Sequence, residues 1–182
     1  MTNFDVMKVK TKEFSRIWKD CKYFAPKSVT KKYAKVVLDW QVSLTETLDI
    51  WIDKGINMSD GELILANANV GALVECWLRL FLCAYYEDYI LNPIKIKNEV
   101  IEPENATFEK LKVFFSKTVF TEQENNEWFK WIDEIQHKRN AIHSFKYREI
   151  GTGNDYLKNL QKYCEFVDFI FDRFPIIDSV LS

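Results

Sequence analysis

Two histidines, five glycines, four prolines and four cysteines are all that this 182-residue chain contains of those types, and each shortage closes off a class of protein. So few turn-forming residues argue against an all-β fold, which needs a turn every few residues, and favour long helices. Cys21, Cys76, Cys83 and Cys164 lie in apolar helical contexts with no Cys-x-x-Cys spacing. They read as small core residues of a reducing compartment. His137 and His143 fall about 120° apart on one helix, so a dedicated metal site lacks ligands and no cofactor is expected. There is no Gly-x-Ser-x-Gly elbow and no glycine-rich strand-to-helix loop, which leaves serine-hydrolase and P-loop chemistry without support. Gly151-Thr152-Gly153 is better read as a helix stop than as a phosphate cradle. A net charge of −2 argues against a broad electrostatic nucleic-acid binder and leaves room for a local basic patch. Met1 to Lys12 has no apolar stretch of signal-peptide length behind a positive start, so a cytoplasmic location is expected.

What the chain does have is apolar residues, 47% of the total, enough for a sizeable core. With no linker-like segment, repeat or low-complexity tract, it reads as one domain over 1–182, an N-terminal helical arm at 1–26 followed by a bundle at 27–182. The spacing predicts a short helix from Lys12 to Phe24 ending before Pro26. A second is predicted over Lys31 to Lys54 with Tyr33, Val36, Val37, Trp40, Leu44, Leu48 and Trp51 as its stripe and Gly55 as its cap. Ser59-Asp60-Gly61-Glu62 is a capping-box pattern that opens a third helix. The apolar stretch Leu63 to Tyr86 has the length of a membrane span, but Asn67, Asn69, Glu75 and Arg79 interrupt it, so no membrane is expected and it reads as the central helix. Within it Glu75 and Arg79 can pair at i,i+4.

Between Pro93 and Pro103 apolar and polar residues alternate around Lys97-Asn98, the pattern of a small hairpin. A short helix follows at about Thr107 to Lys117, and a second capping box at Thr121 opens a helix running to Phe145. Gly151 and Gly153 then break the chain, Asn154 or Asp155 caps a last helix, and Pro175 ends it. The expected fold is all-α, a four- to six-helix bundle with a small β-hairpin near 93–103.

The informative motif lies on the 121–145 helix. Trp128, Ile132, Ile135 and Ile142 recur at helical spacing, and Arg139 falls inside their stripe, with His143 about 40° from it at roughly 100° per residue. A guanidinium there requires a partner or a cleft. Histidine exchanges protons near neutrality and arginine fits phosphate, a combination suited to phosphodiester cleavage in RNA, where the 2′-hydroxyl is an internal nucleophile. One histidine supplies one proton-transfer group, but a twofold dimer apposing two such helices supplies two. The competing reading is structural: Arg139 pairs with a core carboxylate such as Glu75, and His143 hydrogen-bonds a carbonyl near the helix end. Lys138, Lys146 and Arg148 cluster around the pair, either as a phosphate-binding rim or as an ordinary solvated helix end.

Arg139-Asn140 followed by His143, late in a helix of a small all-α bundle, resembles the HEPN superfamily, many of whose members are metal-independent endoribonucleases of toxin–antitoxin, abortive-infection and other antiviral defence systems. The resemblance implies a helical bundle, dimerisation into a composite cleft, RNA as substrate, and an antitoxin or regulatory protein as a possible partner. It assigns Arg139 to phosphate binding and charge stabilisation, Asn140 to orienting the pair and His143 to acid–base work. The family pattern commonly leaves more residues between Arg and His than the three here, and Lys138 lies one residue further away. Where one toxin subgroup carries a modified tyrosine two residues after the histidine, this chain has Phe145. The alternatives are a non-catalytic HEPN-like module binding RNA, a nucleotide or a protein partner, and a plain helical oligomerisation domain.

Overall fold

A computed structural model describes residues 2–175. The single-domain reading of 1–182 therefore runs at both ends into residues outside the described ones. The chain forms an all-α helical bundle with one small hairpin, as the scarcity of turn residues implied. Helix α1 spans Asn3–Lys19, α2 Lys27–Tyr33, α3 Leu38–Glu46, α4 Leu48–Lys54 and α5 Asp60–Ala84; a single turn, α6, covers Tyr86–Tyr89. Strands β1 (Lys95–Ile96) and β2 (Glu99–Val100) pair antiparallel, Lys95 opposite Val100. After them come α7 (Phe108–Thr118), a short α8 (Glu122–Glu124), α9 (Lys130–Arg139) and α10 (Gly153–Phe171).

Helix α5 is the axis of the bundle. Its start follows from the sequence: the Ser59 hydroxyl caps the Glu62 amide, and the Glu62 carboxylate returns to the Ser59 N–H at 2.9 Å. Helices α2, α3, α4, α9 and α10 all pack around it. By length and composition α5 would suffice to cross a membrane, but it is mostly buried within the bundle, with Leu73, Val74, Trp77 and Leu78 completely enclosed. At one end of the core Phe14, Trp18, Tyr33, Trp77 and Phe174 interlock; the Phe14 and Trp77 rings meet edge-on at 4.9 Å and Trp18 stacks on Tyr33 at 4.5 Å. Aromatic pairs in such geometries add stabilisation beyond the area they bury.

Two expectations need correction. The first helix begins at Asn3, capped by Thr2 and Asp5, well before Lys12, and buries Met7, Phe14 and Trp18. It is an integral wall of the bundle rather than an appended arm. The predicted Lys31 to Lys54 helix is three helices. The chain leaves helical geometry at the β-branched pair Val36-Val37, where Val37 has φ −97° and ψ 78°, and the interruption resets the rotational phase. Leu38, Gln41, Thr45 and Leu48 therefore face inward, while Val37, Trp40 and Leu44 of the predicted stripe face solvent.

The hairpin, α7 and the Thr121 capping box follow their local signals. Lys97 and Asn98 sit at φ 49° and 71°, the positive pair that lets a two-residue turn match strand twist. Thr107 caps α7, and Thr121 with Glu124 forms the second capping box. Helix α10 is capped by Thr152 rather than Asn154 or Asp155, with Asp155 closing the reciprocal bond.

Candidate functional site

The segment after Thr121 is not one regular helix. A π-helical turn at Asn125–Phe129 precedes α9, and at Asn140 the backbone tightens into a 3₁₀ turn, Asn140–His143, which ends at Ser144 in the left-handed region with φ 51°. Trp128, Ile132 and Ile135 are buried as the stripe required, whereas Ile142 is exposed. The tightening also moves His143. At about 120° per residue over the 3₁₀ turn it lies roughly 100° around the axis from Arg139, in place of the 40° of a continuous α-helix.

Arg139 lies where α9 crosses α5. Its side chain is 30% exposed and its Nη2 donates to Glu75 Oε2 at 3.2 Å, while Nη1 donates to Asn140 Oδ1 at 3.3 Å. Glu75, whose side chain is 9% exposed, also accepts from Arg79 Nη2 at 2.6 Å. One carboxylate thus bridges two guanidinium groups. Arg79 in turn donates to the Ala106 carbonyl at 3.0 Å. The pairing of Glu75 with Arg79 and the alternative of Glu75 with Arg139 are therefore both present.

The crossing depends on Gly71. A Cβ at that position would fall 2.4 Å from Arg139 Cγ and 2.5 Å from its Cβ, so only glycine lets the helices approach this closely. Nothing in the residue pattern gives Gly71 a role in the site beyond that of an isolated glycine inside a helix, which is itself a signal of close approach.

His143 is exposed, and the hydrogen bonds of Arg139 run to Glu75 and Asn140, not to it. The chain thus joins Arg139, Asn140 and Glu75 and leaves His143 apart. Lys138 also departs from a solvated rim. It is buried and its ammonium reaches Glu134 at 2.6 Å; Glu134 further accepts from Asn159 of α10 at 3.1 Å. Burial pushes the Glu134 carboxyl up, but the bonds from Lys138 and Asn159 outweigh it and hold the group below its usual range. Lys146 is exposed, and Arg148 donates to His137 Nδ1 at 3.3 Å. Among the described residues no group of three or more His, Cys, Asp or Glu is placed to hold a metal ion.

Beside this crossing Ala141, Ser144, Lys146, Tyr147, Arg148 and Ile150 line a cleft of about 460 Å³ together with Asp60 and Ile64 of α5. Ile64 precedes Gly71 by two helical turns, about 10 Å along α5, and Ala141 of the 3₁₀ turn also lines the cleft. No family model matches the sequence, and no curated protein or solved structure matches the chain.

Proposed function

We propose that this chain is a HEPN-like, metal-independent endoribonuclease of the cytoplasm, acting as a homodimer in prokaryotic defence or in a toxin system. The observation that carries the reading is Arg139, a guanidinium held part-exposed at a helix crossing, with an exposed histidine four residues on, at the end of the 3₁₀ turn that follows. In the proposed reaction the neutral imidazole of His143 removes the proton of a 2′-hydroxyl, and that oxygen attacks the adjacent phosphorus. Arg139 compensates the charge gathering on the phosphoryl oxygens, the P–O5′ bond breaks, and a second histidine, entering as imidazolium, gives its proton to the departing 5′-oxygen and is left neutral. The products are a 2′,3′-cyclic phosphate and a 5′-hydroxyl.

The second imidazole is where the dimer enters, because a twofold interface repeats His143. Supporting this is an apolar surface on the α3 side of α5. Trp40 is 70% exposed on α3, with Leu44 and Val37 on the same face and Leu65 of α5 also exposed. The Asn69 amide and the Thr47 hydroxyl, hydrogen-bonded at 2.7 Å, tie α5 to the α3–α4 junction. By helical phase the half-buried Ala68 and Ala72 lie between that junction and the Gly71–Glu75 edge. An apolar face of this kind marks an association surface. An antitoxin or other regulatory protein would restrain the activity.

The second reading is a non-catalytic HEPN-like module that binds RNA, a nucleotide or a protein partner. What favours it is that Glu75 already balances Arg139 while His143 stands apart from both. Incubation of the purified chain with total RNA in excess chelator separates the two. The nuclease reading expects cutting, with ends of the stated kind, and a loss of about 10²-fold or more in rate for His143→Ala and for Arg139→Ala. Intact RNA in the presence of folded protein overturns it in favour of the binding module.

A further inference from the structure

Directly after His143 the chain reads Phe145-Lys146-Tyr147-Arg148, aromatic and cationic residues in alternation. Most of the large aromatics are spent on the core; here Phe145 is 98% and Tyr147 85% exposed. Folding gains nothing from leaving a phenylalanine ring surrounded by water, since its burial is the favourable direction. The backbone nevertheless presents it. Ser144, in the left-handed conformation, turns the chain off the end of the 3₁₀ helix, and the Asn67 side chain anchors the far end by donating to the Ile150 carbonyl at 3.2 Å. Tyr147 is oriented by donating to Glu149 Oε2 at 3.1 Å, which raises its phenol above the usual range.

The charges beside these rings are free to act on a ligand. Lys146 is exposed, and among the described residues Arg148 hydrogen-bonds the ring nitrogen of His137 and pairs with no carboxylate. Both line the 460 Å³ cleft together with Tyr147, and Asp60 of α5 is its acidic member. Positive groups interleaved with exposed rings match a polyanion that carries flat faces. A base-paired helix keeps its base faces stacked on one another; an unpaired strand can offer them to aromatic side chains.

We propose that Phe145 and Tyr147 form a stacking platform for unpaired nucleobases, with Lys146 and Arg148 on the flanking phosphates, so that the RNA taken by this protein is single-stranded next to the reacting bond. The proposal rests on the reading of the chain as an RNA-acting protein and adds the substrate class. Tyr147 lines the same cleft as Ala141, which lies two residues after Arg139, so one strand on the platform leads toward Arg139.

Binding is measured on the full chain carrying His143→Ala, so that affinity is read without cutting. The probes are a short single-stranded RNA with one 2-aminopurine and its perfect duplex. Stacking on the platform quenches the 2-aminopurine of the single strand, and the duplex binds more weakly. Added to that background, Phe145→Ala or Tyr147→Ala weakens single-strand binding by about 5- to 100-fold and relieves the quench. Phe145→Trp retains both. Lys146→Ala lowers the slope of log affinity against log salt by about one and leaves the quench in place.

Equal affinity for strand and duplex, or binding and quenching untouched by Phe145→Ala, overturns the platform. So does retention of RNA affinity together with loss of a protein partner in that variant, which would make the segment a protein-docking loop. Because cutting of total RNA by the chain with His143 intact is measured separately, an active nuclease without the platform is distinguishable from a chain that does not act on RNA.

Discussion

At the scale of single residues the decisive position is Gly71. It sets how near α9 comes to α5, and therefore where Arg139 places its guanidinium and whether Glu75 can reach it. Gly71→Ala puts a methyl group 2.4 Å from Arg139 Cγ, a distance that forces the helices apart. The expected cost is about 1–3 kcal/mol of stability, typical of overpacking a close contact. Urea denaturation measures it. Cutting of RNA should fall by more than the loss of folded protein explains, because Arg139 is displaced. An unchanged midpoint would show that the crossing tolerates the methyl group. Burial separates the neighbouring cations in the same way: Arg139 keeps a solvent-facing edge, while Lys138, one position earlier, is closed in against Glu134 and Asn159.

At the scale of elements, α5 depends on its first turn. The Lys54 ammonium and the Ser59 backbone N–H both bond the Glu62 carboxylate, lowering its pKa from the ordinary 4.5 to about 2. A folded-state pKa below the unfolded one means that the stabilisation is complete above about pH 4.5 and is lost as pH falls toward 2. Ser59→Ala removes the hydroxyl that caps the Glu62 amide and also bonds the Glu62 carboxylate, at a cost of about 1 kcal/mol, and leaves the backbone N–H bond in place. Its acid denaturation should be shallower than that of the parent across the same pH window. Denaturant midpoints taken between pH 2 and 6 test both statements, and parallel pH profiles would contradict them.

Element boundaries marked by local chemistry were legible in the sequence. The Ser59 and Thr121 capping boxes, the Lys97-Asn98 turn and the Glu75–Arg79 pair all depend on residues three to four positions apart or fewer. The break at Val36-Val37 has no glycine or proline to announce it, and the periodicity of that stretch fits an outward stripe as well as an inward one. Of the candidate site, the Arg139–Glu75 contact could be named from residue habits. The placement of His143 could not, since the change from α to 3₁₀ geometry at Asn140 alters its direction by tens of degrees without a mark in the residue pattern. Burial of Lys138 depends on α10, which is distant in sequence.

At the scale of the whole molecule, Trp40, Leu44 and Val37 form an apolar face exposed among the described residues. If two copies join there, sedimentation of the wild-type chain will show a concentration-dependent dimer. Trp40→Asp will then shift it to a monomer with unchanged circular dichroism, because the side chain contributes little to the fold. Cutting of RNA should decline along with the dimer. A monomer at every concentration would leave the composite site without its second histidine. The carboxylate shared between two arginines also bears on how such a molecule handles ligands. An anion that reaches Arg139 meets a cation already occupied, and must displace Glu75 or share with it. Holding there is an exchange of one negative partner for another, which favours brief residence and ready departure over tight retention.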